Sequence, residues 1–513
     1  MSEAATMDMT EGKKGAFPFL ARDFTASIVV FLVAMPLCMG IAIASGVPPE
    51  KGLVTGIIGG IVVGLFAGSP LQVSGPAAGL AVIVFEFVQS HGLSALGPVL
   101  ILAGVLQLVA GALRMGGLFR SISPAVVHGM LAGIGALIVI GQFHTLFDAK
   151  PMSSSAQNLA AMPARVLGLS PWNLQGAELA LLIGLVTIGV MIGWEKVRPK
   201  SMALVPGALL GVVTATLLAW GMGLNIARIT VPESITAAIV PPGDGFFGFL
   251  SNPAILLSAV VIAFIASAET LLSAAAVDKM HDGVRTDYNK ELRAQGIGNF
   301  LCGLAGALPM TGVIVRSSAN VQAGAKTRLS AILHGIWILG FVALLPWLLR
   351  EVPMAALGGV LVVVGWRLIS LKHVHSLFRR HGMMPAMIWA VTFLLVVGAD
   401  LLTGVLAGLA LSLLELVRYR RNLRLKVEED HGDEATRLQL EGTASFLSLT
   451  RLIGKLESLP GERRVHLDLS RLSGLDHTSA EMLSEWLSRR HKAGNTVEVS
   501  GPGHILKPLT VPA

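Results

Sequence analysis

Residues 73–79 read Val73-Ser74-Gly75-Pro76-Ala77-Ala78-Gly79, and residues 309–314 read Pro309-Met310-Thr311-Gly312-Val313-Ile314. Both stretches are rich in small residues, glycine and proline, and each opens an apolar run with helical character. Both are associated with a Gly-Leu pair and a proline at the same spacing, Gly64-Leu65 with Pro70 and Gly303-Leu304 with Pro309. The two stretches therefore indicate interrupted helices at corresponding positions of two chain halves.

The chain around these stretches is strongly apolar. It has 513 residues, of which 53% are hydrophobic and 14% are charged, and its mean hydropathy is +0.70. An ordinary soluble protein carries roughly 25% charged residues. The composition therefore excludes a typical cytosolic enzyme, a disordered chain and a coiled coil. With Cys38 and Cys302 as its two cysteines, the chain is not a disulfide scaffold, and both fit small packing residues.

Charged residues are concentrated at the C-terminal end. Of the 93 residues from Arg421 to Ala513, 26 are charged, whereas residues 1–420 contain only 45. Since a helix needs about 20 apolar residues to cross a bilayer, the apolar runs of the body predict an all-α polytopic membrane protein with about 14 transmembrane segments. We predict an N-terminal segment at 1–23, a transmembrane transport domain at 24–420 and a small α/β domain at 421–513.

The predicted transport domain divides into two repeats, at about 24–225 and 250–420, with about seven spans each. An odd number of spans per repeat makes the two repeats inverted relative to each other. In secondary transporters, interrupted segments at matching positions of two repeats mark a binding site near the bilayer midplane. Free N–H groups at the starts of two half-helices favour an anion there. The alternative is that these glycines and prolines only permit tight helix packing.

The loops between the apolar runs differ in their content of lysine and arginine. If the N-terminus is cytoplasmic, the inner loops carry most of the basic residues, and the outer loops hold only Lys51, Lys150, Arg165, Arg228 and Arg350. Because cytoplasmic loops are enriched in Lys and Arg, we predict cytoplasmic termini and a bacterial inner-membrane location. This distribution explains the net charge of +7 without nucleic acid as a partner.

Two charged residues fall near the predicted midplane. Glu269 lies in the middle of the run that starts near Pro253, and Arg316 lies one turn after Gly312. An isolated ion at this depth costs several kcal/mol, so each residue needs a partner, a cavity or, for the glutamate, a proton. We predict a Glu269–Arg316 ion pair beside the substrate site, and protonation of Glu269 would free Arg316 to attract an anion. The alternative is a static salt bridge between two helices.

The sequence carries no pattern typical of an enzyme or an ATP-driven pump. It has no G-x-x-x-x-G-K-[ST] motif, and no Ser/His/Asp arrangement stands out. His128, His144 and His334 lack the spacing of metal ligands. We therefore predict no enzyme activity, no cofactor and no metal, with transport driven by ion gradients.

The C-terminal region alternates strand-like and amphipathic helical segments, which predicts a small α/β domain. Asp476 or Thr478 is the predicted N-cap of its second helix. With only about 80 residues, the domain is interpreted as a regulatory or dimer-contact module. The strand candidates are Arg437–Leu440, Val465–Leu469 and Thr496–Ser500, and the helix candidates are Ser445–Leu459 and Thr478–Ala493.

Several of these motifs resemble those of the SulP anion permeases, the superfamily that includes prestin and pendrin. The stretch Ala34-Met35-Pro36-Leu37-Cys38-Met39-Gly40-Ile41-Ala42 with the following Gly46-Val47-Pro48-Pro49 resembles the signature of the family's first span. Ser74-Gly75-Pro76 is similar to the start of the third span, and residues 309–320 to the tenth. Val465–Leu469 with Asp476–Ala480 resembles a STAS domain. The motifs occur in order over nearly the whole chain.

The resemblance implies a fourteen-span fold with a 7+7 inverted repeat, a core domain and a gate domain, an elevator-type movement and a homodimer. It places the anion between the third and tenth spans, with two first-span residues lining the pocket. Other members often have Gln and an aromatic residue at those two positions, whereas this chain has Leu37 and Ile41. The implied substrate-binding residues are Leu37, Ile41, Ser74, Gly75, Ala77, Thr311, Gly312, Val313, Ile314 and Arg316, and the coupling residues are Glu269 and Ser273.

The implied function is secondary active transport of a small inorganic anion, bicarbonate or sulfate. Because Arg316 would compete with Na⁺, we expect H⁺ rather than Na⁺ as the coupling ion. The other expected partners are membrane lipid and a cytoplasmic regulator that acts through the STAS domain. The alternatives are a Na⁺-coupled bicarbonate symporter, a dicarboxylate transporter, an uncoupled anion channel, a nucleobase–cation symporter and a membrane scaffold for a soluble enzyme.

Overall fold

A computed structural model describes most of the chain. The described residues are 19–117, 123–152, 154–169, 176–199, 202, 204–230, 235–243, 246–278, 280–281, 283–369, 383–417, 425–431, 435–445, 448–459, 464–492, 494–507 and 509. They form a helical unit that ends at residue 417 and an α/β unit that begins at residue 425.

The helical unit consists of two halves with matching element order. If the amphipathic helix at Ser155–Leu167 and the short helical turns are set aside, the described residues of each half form two helices, a three-residue strand and five further helices. The first half contains α1 (Leu20–Ala44), α2 (Pro49–Phe66), β1 (Ser74–Pro76), α3 (Ala78–His91), α4 (Leu93–Ala112), α5 (Pro124–Thr145), α6 (Ser155–Leu167), α7 (Ala177–Val197) and α8 (Gly207–Gly221). The second half contains α9 (Pro253–Asp278), α10 (Tyr288–Leu304), β2 (Met310–Gly312), α11 (Ile314–Gln322), α12 (Leu329–Leu344), α13 (Met354–Ile369), α14 (Met383–Gly398) and α15 (Leu401–Val417). Short helical turns lie at Ile235–Ala238, Phe246–Leu250 and Pro346–Leu349.

The length and composition of these helices are those of a multi-pass membrane protein. Six described helices, namely α1, α2, α4, α5, α7 and α9, are long and apolar enough to cross a bilayer. Helices α3, α8, α12, α13 and α14 and the first 14 residues of α15 are shorter but also apolar. The structure also confirms the two interrupted helices, because a short strand precedes α3 and another precedes α11.

The helices pack as two bundles. The core bundle contains α1–α4 and α9–α12, and the gate bundle contains α5, α7, α8 and α13–α15, with most helix contacts inside each bundle. Glycines allow the closest approaches in each. A Cβ on Gly104 of α4 would lie 2.4 Å from the Phe300 backbone nitrogen of α10, and one on Gly135 of α5 would lie 2.4 Å from the Gly365 carbonyl oxygen of α13. The two bundles correspond to the expected core and gate domains.

The C-terminal unit is a four-stranded sheet covered by two helices. It contains β3 (Leu425–His431), β4 (Ala435–Ala444), α16 (Leu449–Ser458), β5 (Arg464–Leu475), α17 (His477–Lys492) and β6 (Val497–Ser500), with a short turn at Gly503–Leu506. The strand order is β3-β4-β5-β6, with β3 antiparallel and the other pairs parallel. Strand β3 was not predicted, and β5 runs six residues beyond its predicted end. Asp476 is the N-cap of α17, because its Oδ1 accepts a hydrogen bond of 2.8 Å from the Ser479 backbone N–H.

Candidate functional site

The two interrupted helices meet at the centre of the core bundle. Strands β1 and β2 pair antiparallel, with Ser74 opposite Gly312, Gly75 opposite Thr311 and Pro76 opposite Met310. Helices α3 and α11 begin directly after these strands, so their N-terminal ends lie close together. The first N–H groups of a helix have no partner within the helix and carry the positive end of its dipole. This arrangement creates a region that favours negative charge.

Polar side chains from neighbouring helices hold the strand pair in place. Asn299 of α10 bonds both backbone groups of Met310, at 2.8 and 3.1 Å. Thr270 of α9 accepts hydrogen bonds from the Gly312 N–H at 3.1 Å and, through its carbonyl, from Gln72 Nε2 at 2.9 Å. These bonds satisfy backbone groups that could not be left unpaired in a bilayer. They fix the position of both helix starts.

Further buried amide side chains continue this hydrogen-bond network. They were not predicted from the sequence. Gln295 donates to Ser74 Oγ at 2.6 Å and to Glu291 Oε1 at 2.9 Å. Asn299 also donates to Gln107 Oε1 at 2.8 Å, and Gln107 in turn donates to Ser267 Oγ at 3.2 Å. The available signal was the occurrence of Gln and Asn inside otherwise apolar runs, since such groups must find partners in lipid.

A cavity of about 80 Å³, called here the site cavity, lies between the core and gate bundles beside the helix starts. Seven predicted site residues line it: Leu37, Ile41, Glu269, Ser273, Val313, Ile314 and Arg316. Ala78 and Gly79 at the start of α3 also line it. Apolar side chains of α5 and α13, among them Met130 and Val364, form the opposite wall. Both bundles therefore contribute to this cavity.

The other predicted site residues lie behind the cavity wall. Ser74, Gly75, Thr311 and Gly312 belong to the strand pair, and Ala77 follows β1 directly. All five are buried, and none of them lines the site cavity. These five residues position the starts of α3 and α11. The residues that follow them in the chain line the site cavity.

Arg316 has no ionic partner in the described part of the chain. Its side chain is 0% exposed, and none of its three nitrogens has a nitrogen or oxygen hydrogen-bond partner among the described residues. It packs against Gly75, where a Cβ would lie 2.0 Å from the Arg316 Nη1. The Cys38 thiol and the His334 ring are among its electrostatic neighbours. The structure thus buries an unpaired positive charge beside the two helix starts.

Glu269 does not pair with Arg316, so the predicted ion pair is wrong. Its carboxylate instead lies against Gly79 at the start of α3, close to the backbone N–H of that residue. The Oε2 atom is buried without a hydrogen-bond partner in the described structure, and a Cβ on Gly79 would lie 2.6 Å from it. The glutamate therefore occupies a position that an anion would also favour.

Gly79→Ala is expected to reduce anion transport at least tenfold, because the added methyl group would push the Glu269 carboxylate away from the α3 N-terminus. Gly189→Ala is the matched control, since a Cβ at Gly189 meets no atom within 4 Å. Uptake by purified, reconstituted variants with equal melting temperatures measures the effect. Equal uptake by both variants would show that the contact between Gly79 and the Glu269 carboxylate is not needed for transport.

A second cavity, called here the vestibule, adjoins the site cavity and has a volume of about 570 Å³. The two cavities share Leu37, Ile314, Val315, Val364 and Leu368 as wall residues. The vestibule extends between α1 and α11 of the core bundle and α7, α8 and α13 of the gate bundle. An ion in the vestibule therefore needs to pass only these shared residues to reach the site cavity.

The residues that the structure describes contain no cluster of three or more His, Cys, Asp or Glu side chains arranged to hold a metal ion. Glu269 and Ser273 are neighbours on α9, but no second acidic side chain lines the site cavity.

The chain matches the model of the sulfate permease family over residues 20–392 and the model of a Mlab-type STAS domain over residues 427–511. It is 32% identical to YvdB of Bacillus subtilis over 457 residues, which cover 87% of this chain and 83% of YvdB. It is 26% identical to the bicarbonate transporter BicA of Picosynechococcus sp. over 439 residues, which cover 82% of this chain and 74% of BicA.

Among solved structures, the overall structure of SLC26A9 has a TM-score of 0.68 and 16% sequence identity, and the match covers 94% of this chain and 84% of that one. At this identity the likeness concerns the fold alone. The family match spans the whole core bundle and the helix starts described above. The chain therefore belongs to the sulfate permease family of anion transporters and carries a C-terminal STAS domain.

Proposed function

We propose that this protein is a proton-coupled secondary transporter that moves a small inorganic anion through the site cavity. The observation that carries the proposal is Arg316, a fully buried guanidinium without an ionic partner in the described structure. It lies beside the starts of α3 and α11 in a cavity walled by both bundles. This combination supports a site that is completed by an anion from solution.

The electrostatic balance of the site supports anion binding. A buried charge without a partner costs several kcal/mol in a low-dielectric interior. Two helix N-termini add about half a positive charge each. An anion in the site cavity would offset both contributions, so part of the folding cost of Arg316 becomes binding energy for the substrate.

Glu269 supplies a route to proton coupling without an ion pair. When ionised, its carboxylate places a negative charge in the cavity, beside Gly79 at the start of α3. Protonation removes that charge. A proton on Glu269 therefore makes room for the incoming anion, and the proton and the anion would cross the membrane together.

Sulfate is the anion that best suits this form of coupling. A proton carried together with bicarbonate yields CO₂ and water, and CO₂ crosses a bilayer without a transporter, so proton symport would gain nothing for bicarbonate. Sulfate stays charged near neutral pH and gains accumulation from each accompanying proton. The family match and the proton route together therefore favour sulfate.

The two-bundle architecture supports alternating access of the elevator type. The helix starts, Glu269 and Arg316 belong to the core bundle, whereas Met130 and Val364 on the facing wall belong to the gate bundle. A displacement of the core bundle along that apolar wall would carry the site across the membrane. With cytoplasmic termini, the vestibule opens to the cytoplasm. We further propose a homodimer in the bacterial inner membrane, with the STAS domain as the point of contact for a cytoplasmic regulator.

Uptake by the purified, reconstituted protein tests this function. Proteoliposomes receive labelled sulfate or labelled bicarbonate under a pH gradient, a Na⁺ gradient or neither. We expect accumulation of sulfate above equilibrium only under an inward proton gradient. Accumulation that follows Na⁺ and ignores pH would reject proton coupling, and a large passive current without accumulation would indicate a channel.

A Na⁺-coupled bicarbonate transporter is the second candidate. It is favoured by the position of Glu269 and Ser273, which line the same cavity one turn apart, without an ion pair between Glu269 and Arg316. Oxygen atoms of this kind are ligands for hard cations. Bicarbonate accumulation under the Na⁺ gradient in the same assay would select this candidate.

A further inference from the structure

The vestibule carries a polar site of its own, separate from the site cavity. Most of its wall is apolar, but Glu195 and Arg198 from the C-terminal end of α7 and Arg367 from α13 line it on the gate side. Their summed formal charge is one positive unit. A cleft with low-dielectric walls focuses the field of such a charge and raises the local concentration of anions.

Arg367 is held by Glu195 in a weak ion pair. The Nη2 of Arg367 contacts the Oε2 of Glu195, and the two side chains are 44% and 36% exposed, respectively. Exposed pairs of this kind contribute little to stability because solvent screens them. A free anion in the vestibule can therefore replace the Glu195 carboxylate on Arg367 at little cost.

The opposite wall of the vestibule provides polar groups on a path to the site cavity. Ser318 and Gln322 line it, at four and eight residues after Ile314, so all three share one face of α11. On the gate side, Arg367 follows Val364 by three residues, and Val364 borders both cavities. Arg367 is therefore about one helical turn from the boundary between the vestibule and the site cavity.

We propose that Arg367, together with Arg198, forms a second anion-binding site in the vestibule, where Glu195 competes with the transported anion for the Arg367 guanidinium. The ligand is a small oxyanion of the class transported under the proposed function, on which this inference rests. This vestibule site binds the anion before the anion enters the site cavity. Its two basic side chains set the concentration of anion available there.

Two substitutions with opposite expected effects test this site. In inside-out vesicles, where the vestibule faces the assay medium, the uptake of labelled sulfate and of labelled bicarbonate is measured against concentration. Glu195→Gln is expected to lower KM by about threefold, and Arg367→Gln to raise it by about fivefold, with kcat nearly unchanged. Both differences should shrink as NaCl rises from 20 to about 300 mM, since salt screens exposed charges.

A second ion pair in the same protein provides the control. Arg228 and Glu351 form a comparable pair, with exposed fractions of 29% and 35%, and neither residue lines the vestibule or the site cavity. Arg228→Gln and Glu351→Gln are therefore expected to leave KM unchanged. A misfolded variant cannot show a lower KM, so the result for Glu195→Gln stands even if Arg367→Gln is unstable.

The possible results separate this inference from the proposed function. If wild-type vesicles transport the anion and Glu195→Gln leaves KM unchanged or raises it, the vestibule site is rejected and the proposed function stands. If the control pair shifts KM as much as the vestibule pair, the effect is one of net charge and the site is also rejected. If wild-type vesicles transport neither anion, the proposed function fails, and the vestibule site fails with it.

Discussion

Glu269→Gln is expected to abolish uptake driven by a pH gradient, a decrease of at least tenfold, while anion binding at acidic pH stays close to the wild-type level. The amide has the shape of the protonated glutamate but cannot release a proton. It places no negative charge in the site cavity, so the anion can bind, but no proton can enter or leave with it. The variant should therefore exchange labelled for unlabelled anion and fail to accumulate it.

Counterflow and gradient-driven uptake in the same proteoliposomes measure this difference. Glu86→Gln is the matched control, because Glu86 is also an acidic side chain in the helical unit and lines a separate cavity of about 50 Å³. We expect the control to keep pH-driven uptake. If Glu269→Gln still accumulates anion under a proton gradient, Glu269 is not the group that carries the proton.

Arg316→Met is expected to weaken anion binding by about 100-fold or more and, in the absence of anion, to raise the melting temperature. Methionine has a similar length and no charge, so it removes the cationic attraction without leaving a large hole. An apolar side chain at this position removes the desolvation penalty of an uncompensated buried ion, which is several kcal/mol. Loss of affinity with a gain in stability is the opposite of what a structural arginine would show.

Thermal unfolding with and without sulfate or bicarbonate tests this expectation. The melting temperature of the wild type should rise when the transported anion is added. Arg316→Met should have a higher melting temperature without anion, and the anion should not raise it further. Arg228→Met serves as the control for loss of a positive charge outside the site cavity. A lower melting temperature for Arg316→Met, with the anion-dependent gain intact, would assign Arg316 to packing and remove it from the site.

The interrupted helices could be predicted because glycine and proline at 75–76 and 309–312 are incompatible with continuous helices. The orientation of the midplane charges could not be predicted in the same way. Sequence position places Glu269 and Arg316 at a similar depth, but the direction of each side chain depends on the rotation of α9 and α11 within the bundle. Glu269 faces Gly79 and Arg316 faces Gly75, so the strand-to-helix turn between them separates the two charges.

The side-chain hydrogen bonds that hold the strand pair could not be predicted, because they join residues that are distant in the sequence. Asn299 bonds a strand that begins 11 residues later, and Gln107 reaches Ser267 on a helix of the other half. The vestibule depends on the relative placement of two bundles, so its basic side chains could not be assigned to one wall from the sequence. In the C-terminal domain, β3 escaped prediction because its alternation of apolar and polar residues stops after Val427, where Glu429 takes the next inward position.

In the proposed transport cycle, one proton on Glu269 enters with each anion held beside Arg316. The most direct measurement is the simultaneous uptake of labelled sulfate and of protons by proteoliposomes in lightly buffered medium at fixed membrane potential. We predict that sulfate addition makes the medium more alkaline in a fixed ratio to the sulfate taken up, and that Glu269→Gln loses this alkalinisation. Sulfate accumulation without any proton movement, or with proton movement that persists in Glu269→Gln, would contradict proton coupling through Glu269.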